Sequence, residues 1–317
     1  MPSLIQLEYI AAVAEHRHFG KAARACHVTQ PTLSQQVRKV EDDLGIAIFD
    51  RVKKPVVLTP EGEAFLEQAR LVLREHGRLK EIARARSGEV AGEFRLGIIP
   101  TVAATLVPQF IERFVTRYPK VELFIEELKT QDFLEKLRRD QLDAAIMATP
   151  IPGGGFEENP LYYEPFKLYV SKSHPLAKKE TCTKADLDGA GLWILSDGHC
   201  FKDQVIRYCS IVPERLPAFR NVHFQSGNLD TLRRLVRQGH GYTLIPAFMA
   251  SYMSDAEAKA HLRAFAPPEP AREISLVCRR GHWKQSITRA LKECILKTLP
   301  EGMRTTPGRK LEVLELC

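Results

Sequence analysis

The chain has 317 residues, a net charge of +7 and 44% hydrophobic against 27% charged residues, the balance of a folded protein and not of a disordered one. It lacks a long apolar run and a basic start leading into an apolar stretch, so neither a membrane span nor a secretory leader is expected. The seven cysteines are scattered without zinc-type pairs and are expected reduced in a cytoplasmic protein, where any disulfide is transient or sensory.

In chain order, apolar residues at helical spacing predict a helix over 4–16, followed by a short helix over 20–26. Thr29 reads as an N-cap, with Pro31 just inside a helix that runs to Leu44 and stops at Gly45. This is a helix-turn-helix pattern. The polar face of the third helix carries Gln30, Thr32, Ser34, Gln35 and Arg38, whose amide, hydroxyl and guanidinium groups suit base edges and phosphates. Residues 46–59 predict a strand-turn-strand wing with Arg51, Lys53 and Lys54 at its tip, placed to reach phosphates.

The run FGKAARACHVTQPTLSQQVRKVEDDLG (19–45), then Ile48-Phe-Asp-Arg51 and Leu58-Thr-Pro-Glu-Gly62, resembles the winged-helix signature of the LysR-type transcriptional regulators. The resemblance implies a dimeric or tetrameric regulator bound to promoter DNA, with Pro31 among the reading-helix residues and RNA polymerase as a further partner. Residues 61–86 predict one amphipathic helix of roughly 26 residues, ~39 Å long. That is too long for a small domain to cover, so a second subunit is the simplest partner. A hinge follows at 87–92.

Beyond the hinge, strands at 94–100, 121–127 and 144–147 alternate with helices at 106–118 and 132–140, which predicts a doubly wound α/β unit. Further strands are expected at 164–171, 191–195, 222–224, 241–246 and 273–278, with helices at 229–238 and 285–299. The fold class is therefore α/β with an α-rich winged helix-turn-helix domain at 1–60, a linker helix and hinge at 61–92, and a two-lobed, periplasmic-binding-protein-like effector domain at 93–300. Lobe I takes about 93–162 and 268–300, lobe II about 163–267, and 301–317 form a tail. Ligands of such folds sit at strand ends between lobes.

One stretch carries dense chemistry: Ser196-Asp-Gly-His-Cys-Phe-Lys-Asp-Gln-Val-Ile-Arg-Tyr-Cys209. From Phe201 on it reads as helix, which puts Cys200 near a helix N-terminus where an anionic sulfur is favoured. Nine helical steps separate Cys200 from Cys209 by roughly 13 Å, beyond the ~7 Å Cα limit for a disulfide. Such a pair is either two unrelated cysteines or a redox switch. Thr101 and Thr130 follow strands and can be read as plain helix caps, while His199, Cys200, Cys209 and His223 can be read as zinc ligands, although their spacing fits no common motif.

Asp197-Gly-His-Cys200 with Cys209, Ile99-Pro-Thr101, Lys129-Thr-Gln131 and Pro270-Ala-Arg272 resemble the OxyR, or peroxide-sensing, branch of the same family. That resemblance implies a peroxidatic role for Cys200 and a resolving role for Cys209. It implies a peroxide-binding and thiolate-supporting environment made of Thr101, Thr130, His199, Lys202, Asp203, His223 and Arg272. Lys202 departs from the arginine common in relatives, keeping the charge but losing the planar fork. No cofactor or metal is expected, hydrogen peroxide is the signal, and a thiol reductant of glutaredoxin or thioredoxin type resets the switch. Two rivals stand beside this reading. One is a regulator of the same family that senses a metabolite, its cysteines incidental; the other is a thiol peroxidase, for which a winged helix makes no sense.

Overall fold

The computed structural model describes residues 1–87 (backbone alone for 80–87), 89–187, 189, 191–210, 224, 226–300, 303 and 310–315. The chain forms two compact units, 1–89 and 90–317.

In the first unit, α1 (Leu4–His16) starts on a reciprocal cap: Gln6 N donates to Ser3 Oγ, and Ser3 N donates to the Gln6 side chain. α2 (Phe19–Ala25) is capped by the His18 ring. α3 (Gln30–Leu44) is capped by Thr29 and ends at Gly45. Leu33, Val37 and Val40 of α3 pack with Ile10, Val13, Ala22, Ala23 and Phe49 in one apolar cluster. This burial fixes which face of α3 is left for a partner.

The wing is narrower than its sequence suggests. Only β1 (Phe49–Asp50) and β2 (Val57–Leu58) pair, antiparallel. The rest of its base is held by Glu41 of α3, whose carboxylate accepts from Ile48 N, Phe49 N and Arg51. Next comes α4 (Pro60–Ser87), whose first turn passes so close to the wing that a Cβ on Gly62 would lie 2.0 Å from Ile48 O. Val72 and Leu79 of α4 are 49% and 65% exposed, so this helix presents apolar surface that its own unit does not cover.

The second unit runs β3 (Gly92–Ile98), α5 (Pro100–Arg117), β4 (Val121–Glu127), α6 (Thr130–Arg138), β5 (Ala144–Thr149), β6 (Phe156–Val170), β7 (Thr181–Cys182), α7 (Cys200–Cys209), α8 (Leu229–Arg237) and β8 (Tyr242–Pro246). It continues with α9 (Ala247–Ala250), α10 (Asp255–His261), β9 (Leu262–Phe265), β10 (Glu269–Arg279), α11 (Gln285–Thr298) and β11 (Leu311–Val313). β3 lies parallel between β4 and β5, and β10 runs antiparallel between β5 and β6. β6 then leaves the first lobe, and its second half pairs with β8 and β9. One apolar core lies around β3, β5, α5 and α11; another lies around the second half of β6, β8, α7 and α8.

Two strand expectations need correction. The strand predicted to begin at 164 starts at Phe156, because Pro160 sits at a register shift opposite Ser275, where no ladder N–H is missed. Residues 191–195 form no strand, only a single bridge from Leu192 to Tyr242. Their polar groups are met otherwise: Trp193 N donates to Tyr242 O, and the Thr243 hydroxyl donates to Trp193 O. Of the strand predicted at 222–224, residues 222 and 223 lie outside the described residues, and Phe224 is not in a strand.

Gly62→Ala is expected to destabilise the amino-terminal unit by about 1–3 kcal/mol, the usual cost of overpacking. Thermal unfolding of the full chain, followed by a probe in that unit, checks this; an unchanged midpoint would contradict the close approach of α4 to the wing.

Candidate functional site

On the first unit, Gln30, Pro31, Thr32, Gln35 and Arg38 lie exposed along α3, and Ser34 is half-buried beside Leu33. Lys53 and Lys54 are exposed at the wing tip. Arg51 differs: it pairs with Glu41 at 2.5 Å and lies over the Phe19 ring at 5.0 Å, so its charge also fastens the wing to α3.

The thiol site is built where α6 and α7 begin. Gly198, at φ +85°, turns the chain into α7, and a Cβ there would lie 2.9 Å from Lys129 Cδ. Lys129 Nζ donates to Asp197 O at 3.0 Å, and Thr130 N donates to Gly198 O at 3.3 Å. The start of α6 is thereby stitched to the loop that delivers Cys200. Lys202 pairs with Asp197 on the outer side.

Cys200 is the first residue of α7 and is buried. Burial pushes its thiol above the ordinary range; the Thr130 hydroxyl, the Arg272 charge and the Ala148 N–H pull it back, and Asp203 adds a small upward push. The Thr130 hydroxyl is itself buried, and apart from the Cys200 thiol it has no partner among the described residues. A donor so placed, with no competing acceptor among the described residues, is available to a thiolate when one forms.

Behind the thiol lies a buried charged network. Arg272 is fully buried; its Nε and Nη2 donate to Glu164 Oε2 at 2.8 and 2.7 Å, and its Nη1 donates to Thr101 Oγ1 at 2.8 Å. Nη2 also reaches Thr101 O at 3.2 Å. The other Glu164 oxygen accepts from Phe248 N at 3.1 Å, and the guanidinium lies 5.3 Å from the Phe201 ring centre. A buried pair with its polar groups met survives desolvation, whereas one left with a single partner does not.

His199 caps α7 only by backbone position. Its ring is buried, and Nε2 is without a partner among the described residues. Burial, then Lys129, holds its pKa below the ordinary imidazole range, so it is neutral at pH 7. Asp203 is exposed, its carboxyl raised by partial desolvation and eased down by Lys202.

At the far end of α7, Cys209 packs into the second core, where burial pushes its thiol up to about 12. Cys200 belongs to the first core. One helix therefore holds the two sulfurs in different cores, roughly 13 Å apart along its axis, and one metal ion cannot take both as ligands.

The structure thus brings Thr130 and Arg272 to Cys200, and Thr101 to Arg272. It sets Lys202 and Asp203 on the solvent side; His223 lies outside the described residues. Neither Thr101 nor Thr130 caps a helix: the caps are Ile99 and Lys129, without side-chain bonds. Glu164 was missed from sequence, although a carboxylate inside an apolar strand signals a buried cationic partner.

Comparison with known proteins gives two family matches: the model "Bacterial regulatory helix-turn-helix protein, lysR family" over residues 4–63, and "LysR substrate binding domain" over 87–300. The "Hydrogen peroxide-inducible genes activator" of Pectobacterium carotovorum is 40% identical, across 94% of this chain and 96% of that protein. The "DNA-binding transcriptional dual regulator OxyR" of Escherichia coli K12 is 39% identical, across 91% and 93%. Among solved structures, full-length OxyR from Pseudomonas aeruginosa with a cysteine-to-aspartate change superposes with a TM-score of 0.78 at 33% identity, covering 92% and 94%. A peroxide-bound cysteine-to-serine variant of Corynebacterium glutamicum OxyR gives 0.61 at 29%, covering 94% and 92%.

Thr130→Val removes a buried hydroxyl that has no partner among the described residues besides the Cys200 thiol, so stability should hold. The thiolate loses a donor that is worth about 1.5–3 kcal/mol to a charged group. Alkylation of Cys200 by iodoacetamide at fixed pH should slow about ten-fold or more at an unchanged melting midpoint; equal rates would contradict the role given to Thr130.

Burial keeps the Cys209 proton on in the folded chain, so its stabilising contribution is complete below ~8.5 and is lost as pH rises toward about 12. The stability excess of wild type over Cys209→Ala in urea unfolding should shrink across that window; a constant excess would contradict the buried, protonated thiol.

Proposed function

The chain belongs to the LysR family of bacterial helix-turn-helix regulators, and from that membership we propose how its thiol site works as the sensor. The protein is a DNA-binding transcription regulator of the peroxide response, in line with relatives at about 40% identity. The observation that carries the sensor reading is the single helix α7, with a thiol beside an uncommitted hydroxyl at one end and a second thiol locked in another core at the other.

In the proposed sequence, Cys200 gives up its proton, for which neutral His199 offers a buried ring nitrogen. The thiolate forms as the Thr130 hydroxyl turns toward it and Arg272 supplies positive potential. The sulfur attacks one peroxide oxygen, the O–O bond breaks, and the departing hydroxide takes back the proton that Cys200 gave to His199 and leaves as water. Sulfur is oxidised to a sulfenic acid and peroxide is reduced. The Cys209 thiol then displaces the sulfenic hydroxyl as a second water, and the Cys200–Cys209 disulfide forms. Closing it requires α7 to unwind, since an intact helix keeps the sulfurs apart.

Around this switch, residues 1–60 read DNA through Gln30, Pro31, Thr32, Ser34, Gln35 and Arg38, with Arg51, Lys53 and Lys54 directed at phosphates. The linker helix and hinge at 61–92 pair the subunits of a dimer or tetramer through the exposed face carrying Val72 and Leu79. Residues 93–300 sense, with Lys202 and Asp203 in the outer surroundings of the thiol; the family resemblance gives His223 a role in supporting the thiolate. RNA polymerase is the partner at the promoter, and a glutaredoxin- or thioredoxin-type reductant restores the thiols in the cytoplasm. No described helix is long and apolar enough to cross a membrane. Each oxidation is spent on one switching event, so the protein acts as a regulator and not as a peroxidase.

Peroxide at a one-to-one ratio, followed by peptide mapping, should give a Cys200–Cys209 disulfide, and Cys200→Ser should bind promoter DNA identically with and without peroxide. A Cys200→Ser protein that still responded would sink the reading in favour of a metabolite sensor. Sustained peroxide consumption with reductant would favour the peroxidase.

A further inference from the structure

Gln204 lies midway along α7 and is fully buried. A carboxamide in an apolar core is held only where its polar atoms are met. Its Nε2 donates to Leu314 O at 2.9 Å, across 110 residues of sequence, while its Oε1 is buried without a partner among the described residues. An amide left half-satisfied contributes position more than stability.

The acceptor belongs to the carboxy-terminal segment, which sequence alone leaves as a tail. β11 pairs parallel with Glu269–Ala271 of β10, the residues just before Arg272. Leu314 N donates to Ala271 O at 2.8 Å, and Glu269 N donates to Lys310 O at 2.8 Å. The Leu314 side chain is buried in the same core as Cys209. Glu315 comes within 4.0 Å of Arg207. The 310–315 segment is thus fastened on one side to the strand that carries Arg272 and on the other to the helix that carries both cysteines.

We propose that Gln204 is a positioning residue and residues 310–315 a strap over α7, so that joining Cys200 to Cys209 requires the Gln204–Leu314 hydrogen bond to break. The strap sets how long the Cys200 sulfenic acid lasts before Cys209 resolves it. This rests on the peroxide-sensing reading above. The step it controls consumes one sulfenic acid and one thiol and yields a disulfide and water, with no further oxidant. It leaves the attack on peroxide untouched, because Gln204 bonds the tail, whereas the groups acting on the Cys200 thiol are Thr130, Arg272, Ala148 and Asp203.

The test separates the two steps in the full-length protein. Cys200 sulfenic acid is trapped with dimedone, and disulfide closure is timed by rapid quench and peptide mapping, in wild type, in Gln204→Leu and in a chain ended at Arg309. Closure is expected to quicken at least five-fold in both variants, with sulfenic acid formation within two-fold of wild type. Unchanged or slower closure, or sulfenic acid formation altered by more than two-fold, overturns the strap. If the shortened chain fails to fold, Gln204→Leu decides the matter, because leucine fills the same apolar site without a polar group. In wild type, carboxypeptidase should remove the strap residues faster after oxidation than before; equal digestion overturns the proposal. If wild type forms no Cys200 sulfenic acid, the sensing reading falls and the strap with it. If the acid forms and both variants close at the wild-type rate, only the strap falls.

Discussion

The thiol chemistry depends on one constraint: α7 anchors its two ends in two different apolar cores. Cys200 packs with the first lobe, while Phe201, Val205, Tyr208 and Cys209 pack with the second. Each fully buried large side chain is worth about 1.5–3 kcal/mol, so α7 is held straight by several such anchors. A disulfide between its ends can form only at their expense. In the proposed switch the resting state is therefore the helix, and the disulfide-linked state must be a different packing.

The same burial that separates the sulfurs also restrains them. Low polarity around Cys200 keeps its proton on, and three nearby features among the described residues oppose that: the Thr130 hydroxyl, the Arg272 charge and the Ala148 N–H. Much of the Arg272 charge is already answered by Glu164. That pairing keeps a buried guanidinium stable and limits how far it can lower the thiol. Reactivity at this site is thus a balance between desolvation and a few oriented donors.

Much of this was legible in the residues. Caps and periodicity placed α1 to α3 closely, because Ser3, Thr29, Pro31 and Gly45 act through local backbone chemistry. The βαβαβ order of 92–149 followed from alternating apolar runs, and the cysteine spacing already meant that a disulfide between them would need the helix to open. What stayed hidden depends on long-range pairing. Pro160 conceals the first half of β6, since its place in the strand is set by a register shift at Leu161 against β10. Glu164 has meaning only once Arg272 arrives from 108 residues later. The 310–315 segment is too short to read as a strand without β10 beside it.

The account turns on whether α7 opens when its ends are joined. Backbone amide exchange across 204–209, measured before and after stoichiometric peroxide with the disulfide confirmed by mass spectrometry, tests this most directly. Slow exchange in the reduced protein and fast exchange in the oxidised protein is the predicted result. Equal protection in both, with the Cys200–Cys209 bond present, would contradict it.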